Sequence, residues 1–435
     1  MTQKVFSIAK NILKIRTCKL SWMGKMGVVT ILALFWLASS FSWYVQPANA
    51  FTEEQKLLLQ SWRIVNQSYL DETYNHQNWW KLREQYIKKP LHDREETYAA
   101  IEEMLAGLDD PFTRLLRPEQ YRSLQVNTSG ELSGVGLQIN INPETKRIEV
   151  ISPLAGSPAE TAGIKPRDII LEIDGVDTKT ITLDEAAAKM RGTIGSKVVL
   201  RVQSNADKAT KSRTVNVIRD RISLNPVYTA LDTSTKQKVG YVRLNQFSAN
   251  AAKEIAHGVN ALEKKGAEAY ILDLRNNPGG LLQAGVEIAR MWLNDSTIVY
   301  TVNRQGGLGS FDADEQMLTD APLVVLVNQG SASASEILAG ALQDNERALL
   351  VGEKTFGKGL IQSLFELPDG AGLAVTVAKY ETPNHTDINK LGIMPDDIVS
   401  QEPITYSEIA TETDKQYQEA LKLVTSKNNL LVKAG

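Results

Sequence analysis

The sequence predicts a mixed α/β chain of several domains, and three changes of hydrophobic pattern along it predict this. Residues 51–125 carry apolar side chains at helical spacing. From about Gly130 to Ser204 the pattern turns to short, glycine-punctuated strands. Beyond Arg221, all-apolar runs alternate with helical segments, the pattern of strands buried on both faces between helices. A length of 435 residues allows two or three domains. The boundaries read as a leader over 1–50, a helical domain over 51–125, a strand-rich domain over 126–205, an α/β core over 206–404, and a terminal helix and tail over 405–435.

The leader differs from the rest. It holds Lys4, Lys10, Lys14, Arg16, Lys19 and Lys25 and no acid, then an apolar run from about Met26 to Phe41, then Pro47-Ala48-Asn49-Ala50. Basic region, apolar core and A-x-A site make a secretory signal cleaved after Ala50. A retained membrane anchor is the alternative, but the apolar run is short for a span. Translation from Met23 would give a signal of ordinary length. No twin arginine is present, so the general secretory route is expected.

Without the leader, 42 basic and 51 acidic residues leave a net charge of −9, which argues against nucleic acid as a partner. The single cysteine, Cys18, leaves with the leader, and with it any disulfide, thiol nucleophile or cysteine-bound metal. His76, His92, His257 and His385 do not stand in a metal-ligand spacing such as HExxH. No metal or cofactor is expected.

In the helical domain Thr52-x-x-Gln55 caps the first helix. Trp62, Tyr69, Trp79, Trp80 and Tyr86 form a core stripe, and Asp109-Asp110-Pro111 ends the helical period. In the strand-rich domain, Ser133 to Ile139, Ser157-Pro-Ala-Glu-Thr-Ala-Gly-Ile164 and Asp168-Ile-Ile-Leu-Glu-Ile-Asp-Gly175 together resemble a PDZ domain. Such domains add an extended peptide as a strand and hold its terminal carboxylate in backbone N–H groups. The resemblance puts that carboxylate loop on Gly134, Val135, Gly136 and Leu137. Arg191 either biases the groove toward an acidic end or is a plain surface arginine.

The core contains strand–turn–helix twice. Ala269–Leu274 runs through Arg275-Asn-Asn-Pro-Gly-Gly280 into a helix near Leu281. Leu323–Val327 runs through Gly330 into a helix over about Ser333–Gln343. If both strands lie parallel in one sheet, the two turns meet. Ser333-x-x-Glu336 fits a capping box, so Ser333 is either a helix cap or a nucleophile at a helix N-terminus. Lys358 stands between Gly357 and Gly359, which let other backbone approach it. Gln362 shares a face with Lys358 if that segment is extended.

The stretch from Gly330 to Gln362 closely resembles the catalytic signature of the carboxyl-terminal processing proteases, also called tail-specific proteases. The resemblance implies an α/β serine protease core with Ser333 as nucleophile, Lys358 as general base and Gln362 supporting the lysine. It puts an oxyanion hole on the N–H groups of Gly279 and Ala334, and a relay acid on Asp344. On one unbroken helix Asp344 would stand roughly 16 Å from Ser333, so it reads as a structural residue. A neutral lysine is required of the base, and burial against apolar residues near Leu360 would lower its pKa. Two other readings remain: His257 or His385 as base, and a PDZ adaptor on an inactive protease fold.

Segments such as LDDPFTRLL and WRIVNQSYLDETYN resemble the photosynthetic branch of the family, which trims a photosystem II reaction-centre precursor. That branch implies protein substrates with exposed C-terminal tails, a monomer with no membrane span once the signal is removed, and the thylakoid lumen. The periplasm is the alternative compartment.

Overall fold

A computed structural model of the chain describes residues 51–143, 145–154, 156–204, 212–315 and 317–426. The secretory-signal reading and the Met23 start lie outside them. Residues from Leu57 onward form one compact unit.

The helices Glu53–Ser68, Trp79–Ile87 and Arg94–Ala106 pack through Leu58, Trp62, Val65, Ile101 and Met104. Asn78 and Asp93 cap the second and third by accepting from Lys81 N and Glu96 N. This helical layer does not own its core. Leu367, Leu373 and Val375 belong to the same apolar cluster. The helical pattern also hides a strand, Arg114–Leu116, which pairs antiparallel with Gly372–Ala374. The helix Pro118–Ser129 follows it.

The strand-rich region builds a six-stranded sheet with Leu137–Ile141 at one edge. Its core holds Val135, Ile148, Val150, Ile170, Ile173, Leu200 and Val202. The helix Leu183–Met190 is capped by a Thr182–Glu185 capping box. Buried Arg219 donates to the carbonyls of Lys189, Met190 and Lys197, holding that helix end against the sheet.

The sheet of the α/β core runs in the order Val227–Asp232, Val239–Leu244, Ala269–Asp273, Leu323–Val327, Leu349–Gly352, Asp397–Ile398. Its first pair is antiparallel and the rest are parallel. The strands 239–244, 269–273 and 323–327 are buried at every residue because both faces are covered. Helices Ala251–Lys264, Leu282–Arg290 and Ala334–Asp344 cover one face. Helix Lys415–Thr425 covers the other through Tyr417, Ala420, Leu421 and Val424. The sequence reads that last helix from Tyr406 onward. Only a 3₁₀ turn forms at 406–408, and the α-helix starts where Asp414 caps it. A second sheet joins 114–116, 372–381, 297–303 and 308–312, with 360–366 also paired to 372–381.

Candidate active site

Strands 269–273 and 323–327 are parallel neighbours, so the turns that leave them meet. Ser331 Oγ donates to Leu274 O, and Ser335 Oγ donates to Asn277 O, both at 2.8 Å. Ala332 N donates to Asn277 O at 3.1 Å. A Cβ at Gly279 would stand 2.6 Å from Ala332 O and 2.9 Å from Ala334 N. Only glycine allows this approach, and at φ +95° only glycine tolerates the backbone.

Ser333 sits at φ 57°, ψ −116°, a conformation that costs a non-glycine residue about 1–3 kcal/mol. The strain sets the hydroxyl at the sharp turn from strand to helix, with the helix N-terminus directly behind. Ser333 is also the N-cap residue, completing a capping box with Glu336. The Ala334 N–H donates to no other group among the described residues.

Glu336 is fully buried, and its carboxylate accepts four hydrogen bonds. Oε1 takes Thr355 Oγ1 at 2.6 Å and Gly357 N at 2.7 Å. Oε2 takes Ser333 N and Lys358 N, each at 2.9 Å. The Tyr380 hydroxyl adds a second link, lying against the carbonyls of both Ser333 and Lys358. The segments bearing Ser333 and Lys358 are therefore fastened to each other through backbone. Both linking residues are absent from the expected site. The capping-box spacing of Glu336 is the one signal that pointed to either.

Lys358 Nζ lies 4.9 Å from the centre of the Phe112 ring. Burial lowers its pKa, the nearby charge of Arg114 lowers it further, and Asp110 and Glu336 oppose. The expected cause, burial, is present, but Phe112 from the helical layer contributes to it.

Three expectations change in the structure. Lys358 and Gln362 do not share one strand face, because the strand begins at Leu360 and Lys358 lies outside it. Gln362 Nε2 instead donates to Thr376 Oγ1 at 3.4 Å. The Gly279 N–H is not free. It donates to Asn277 Oδ1 at 2.9 Å, because Asn277 is buried and pinned through Nδ2 to Leu244 O. Lys358 Nζ makes no hydrogen bond to Ser333 Oγ among the described residues; its contact is with the Phe112 ring.

Asp344 is the last residue of its helix, and its carboxylate accepts from Asn384 N at 2.9 Å, a structural contact away from the helix start that carries Ser333. His385 stacks on Tyr300 with ring centres 4.2 Å apart. No cluster of three or more His, Cys, Asp or Glu among the described residues is arranged to hold a metal.

In the strand-rich domain, Gly134 ends a strand paired to Asp220–Ser223, and Leu137 begins the edge strand. Between them, Gly136 takes φ +77° and its carbonyl accepts from Leu154 N and Ser157 Oγ. The N–H groups of Val135 and Gly136 donate to no described residue. Arg191 is exposed at the end of helix 183–190, beside Gly134.

A strained serine at a strand–helix turn of a buried parallel sheet, with a tethered lysine and an attached peptide-binding module, marks a serine-type peptidase. The chain belongs to the carboxyl-terminal-processing proteases of peptidase family S41. Residues 238–399 match the model of that peptidase family, and 149–204 match a PDZ domain. The chain is 70% identical over 379 residues to a carboxyl-terminal-processing protease of Synechocystis, covering 87% of this chain and 88% of the relative. It is 45% identical over 362 residues to the chloroplastic carboxyl-terminal-processing peptidase 2 of Arabidopsis thaliana, covering 80% and 70%. A solved photosystem II D1 C-terminal processing protease matches at 40% identity and a TM-score of 0.53, covering 87% of this chain and 99% of that one.

Proposed function

We propose that Ser333 and Lys358 form the catalytic pair of this protease. Lys358, neutral when it acts, takes the Ser333 proton as Oγ attacks the scissile carbonyl. The resulting lysine ammonium then protonates the leaving amine, and water hydrolyses the acyl-enzyme. The oxyanion forms against the Ala334 N–H at the helix N-terminus. Gly279 supplies the second donor, shared with or released by Asn277. Gln362 acts through the strand beside the lysine, and Asp344 serves the fold. The observation that carries this reading is the shared Glu336 carboxylate, which joins the serine and lysine segments beside an unengaged Ala334 N–H.

The PDZ domain captures the substrate's terminal carboxylate at Gly134 to Leu137, and Arg191 favours acidic ends. The substrate is a photosystem II reaction-centre precursor with a C-terminal extension, and the enzyme works on it as a monomer. Export by the general secretory route places the enzyme in the thylakoid lumen, with the periplasm as the alternative. No described helix is long and apolar enough to cross a membrane. The test is cleavage of a precursor-tail peptide by wild type and by Ser333→Ala, with Lys358→Arg alongside. Equal rates for wild type and either variant would overturn the pair.

A further inference from the structure

The two turns that meet at the site are also joined at their solvent-facing end, by two asparagines. Asn328 is the first residue past strand 323–327, and its Oδ1 accepts from Gly330 N at 3.0 Å, closing its own turn. The same oxygen accepts from Asn276 N at 2.8 Å, and Asn328 Nδ2 donates to Asn276 Oδ1 at 3.0 Å. One side-chain amide thus grips the opposite turn by two bonds, one to backbone and one to side chain. Asn276 takes φ 58°, a left-handed conformation that asparagine enters more readily than most residues. A Cβ at Gly330 would stand 2.8 Å from Asn276 Cα, so the turns pack here backbone to backbone. Asn328 N donates to Ser331 Oγ, which donates on to Leu274 O, so the clasp is continuous with the buried contacts between the turns.

We propose that Asn328, with Asn276 as its counterpart, is a positioning residue that fixes the spacing of the Gly279 and Ala334 N–H groups, the two donors of the oxyanion hole. The assignment rests on the reading of Ser333 as nucleophile and of those two donors. Asn276 leads directly into the turn that carries Gly279, and Asn328 into the turn that carries Ser333 and Ala334. Asn276, Asn328 and Gly330 border a cavity of about 410 Å³, and Ser333, Gly279 and Ala334 are not among its lining residues. The clasp therefore acts through backbone rather than on the substrate. Its loss is felt where charge develops on the scissile oxygen, not in ground-state binding.

The bonding is chemically asymmetric. Asn276 uses its side chain only as an acceptor toward Asn328, so a carboxylate in its place keeps that bond and still tolerates the backbone. Asn328 uses its side chain as acceptor and donor. A carboxylate there keeps the two backbone donors but sets a second acceptor against Asn276 Oδ1.

The test uses the full chain, steady-state cleavage of a tail peptide, and inhibition by the matching peptide aldehyde. The aldehyde forms a hemiacetal with Ser333 Oγ and sets its oxygen against the two donors. Asn328→Asp lowers kcat and raises the aldehyde Ki, each roughly tenfold to a hundredfold, with KM moved about twofold at most. Asn276→Asp keeps kcat and Ki near wild type. Asn276→Gly, at an exposed site where glycine accepts the backbone, removes the side-chain acceptor alone and shows roughly threefold to tenfold of the same loss. The Ki reads only molecules with a working site, so a lowered kcat with an unchanged Ki means lost folded enzyme and overturns the positioning role. Unchanged kcat and Ki in Asn328→Asp overturn it as well. Equal losses in Asn276→Asp and Asn328→Asp overturn the donor–acceptor pairing. Failure of the catalytic pair is distinct from all of these, because it is reported by activity in Lys358→Arg with both asparagines in place.

Discussion

Ser333 and Lys358 donate their backbone N–H groups to one and the same oxygen, Glu336 Oε2, each at 2.9 Å. Two segments far apart in sequence thus share an anchor, and the anchor is a charge with no exposure. Four donors converge on the two oxygens, so the site needs a carboxylate there rather than a neutral group.

Glu336→Gln therefore turns acceptor capacity into an amide NH₂ that faces N–H groups. We expect kcat to fall about tenfold to a hundredfold with KM moved far less, since the change shifts the reacting groups relative to each other. Glu336→Asp retains the charge and restores part of the loss. Steady-state kinetics with circular dichroism as a fold control reads both variants. Unchanged kcat in Glu336→Gln would remove the anchoring role.

On the proposed catalytic pair, the lysine sets the pH behaviour. Its folded pKa lies below the ordinary lysine value, through burial first and Arg114 second. kcat/KM should rise with pH through that lowered pKa, as the amine becomes neutral. Arg114→Gln removes a neighbouring cation, so the limb moves toward higher pH. Stability follows the same sign. At pH values below the folded pKa the enzyme holds a disfavoured ammonium at full cost. Between the folded and unfolded pKa values the unfolded chain binds more protons, and stability rises with pH. Lys358→Met should thus raise Tm at neutral pH while abolishing cleavage. A Tm equal to or below wild type at neutral pH would contradict the cost assigned to the lysine.

Away from the chemistry, Arg275 is held by two carboxylates. Its guanidinium donates to Asp273 and forms a two-bond pair with Asp414, each bond 2.8 Å, and all three residues are buried. Both acids hold the guanidinium protonated against the opposing effect of burial. Asp414 also caps helix 415–425, so one residue fastens that helix to the strand end that leads to Gly279. Asp414→Ala leaves a buried cation half-paired and should cost about 3–5 kcal/mol of unfolding free energy. Urea denaturation reads this directly, and a loss under about 1 kcal/mol would mean that Asp273 alone suffices.

The parts legible in the sequence are those set by local pattern. Strands 269–273 and 323–327 are apolar throughout because they are buried on both faces, and their glycine turns mark where the helices start. Ser333 was visible through the capping box with Glu336. Long-range partners were not. The other partners of Glu336, at Thr355, Gly357 and Lys358, lie 19, 21 and 22 residues downstream. Strand 114–116 is three residues long and takes its identity from pairing with 372–374, so no periodicity announces it. The strand start at Leu360, which leaves Lys358 outside the strand that carries Gln362, is likewise a property of pairing. Phe112 reached the lysine only through packing of the helical layer.

The tail-binding reading gives the last prediction. Leu137–Ile141 is a sheet edge with an unpaired side, and the turn before it presents the Val135 and Gly136 N–H groups without described partners. An added strand would extend the sheet along that edge and end its carboxylate at the turn. Amidating the terminal carboxylate of a substrate peptide removes the charge those groups would receive. A charge-assisted hydrogen bond exceeds a neutral one by about 1 kcal/mol, so KM should rise about fivefold with kcat little changed. Arg191→Ala should reduce the preference for acidic ends without abolishing the amidation effect, because the turn supplies backbone donors of its own. Kinetics on paired free-acid and amidated peptides, with wild type and Arg191→Ala, separates the two contributions. Equal KM values for the two wild-type substrates would remove carboxylate recognition from this turn and leave the edge strand to bind internal sequence alone.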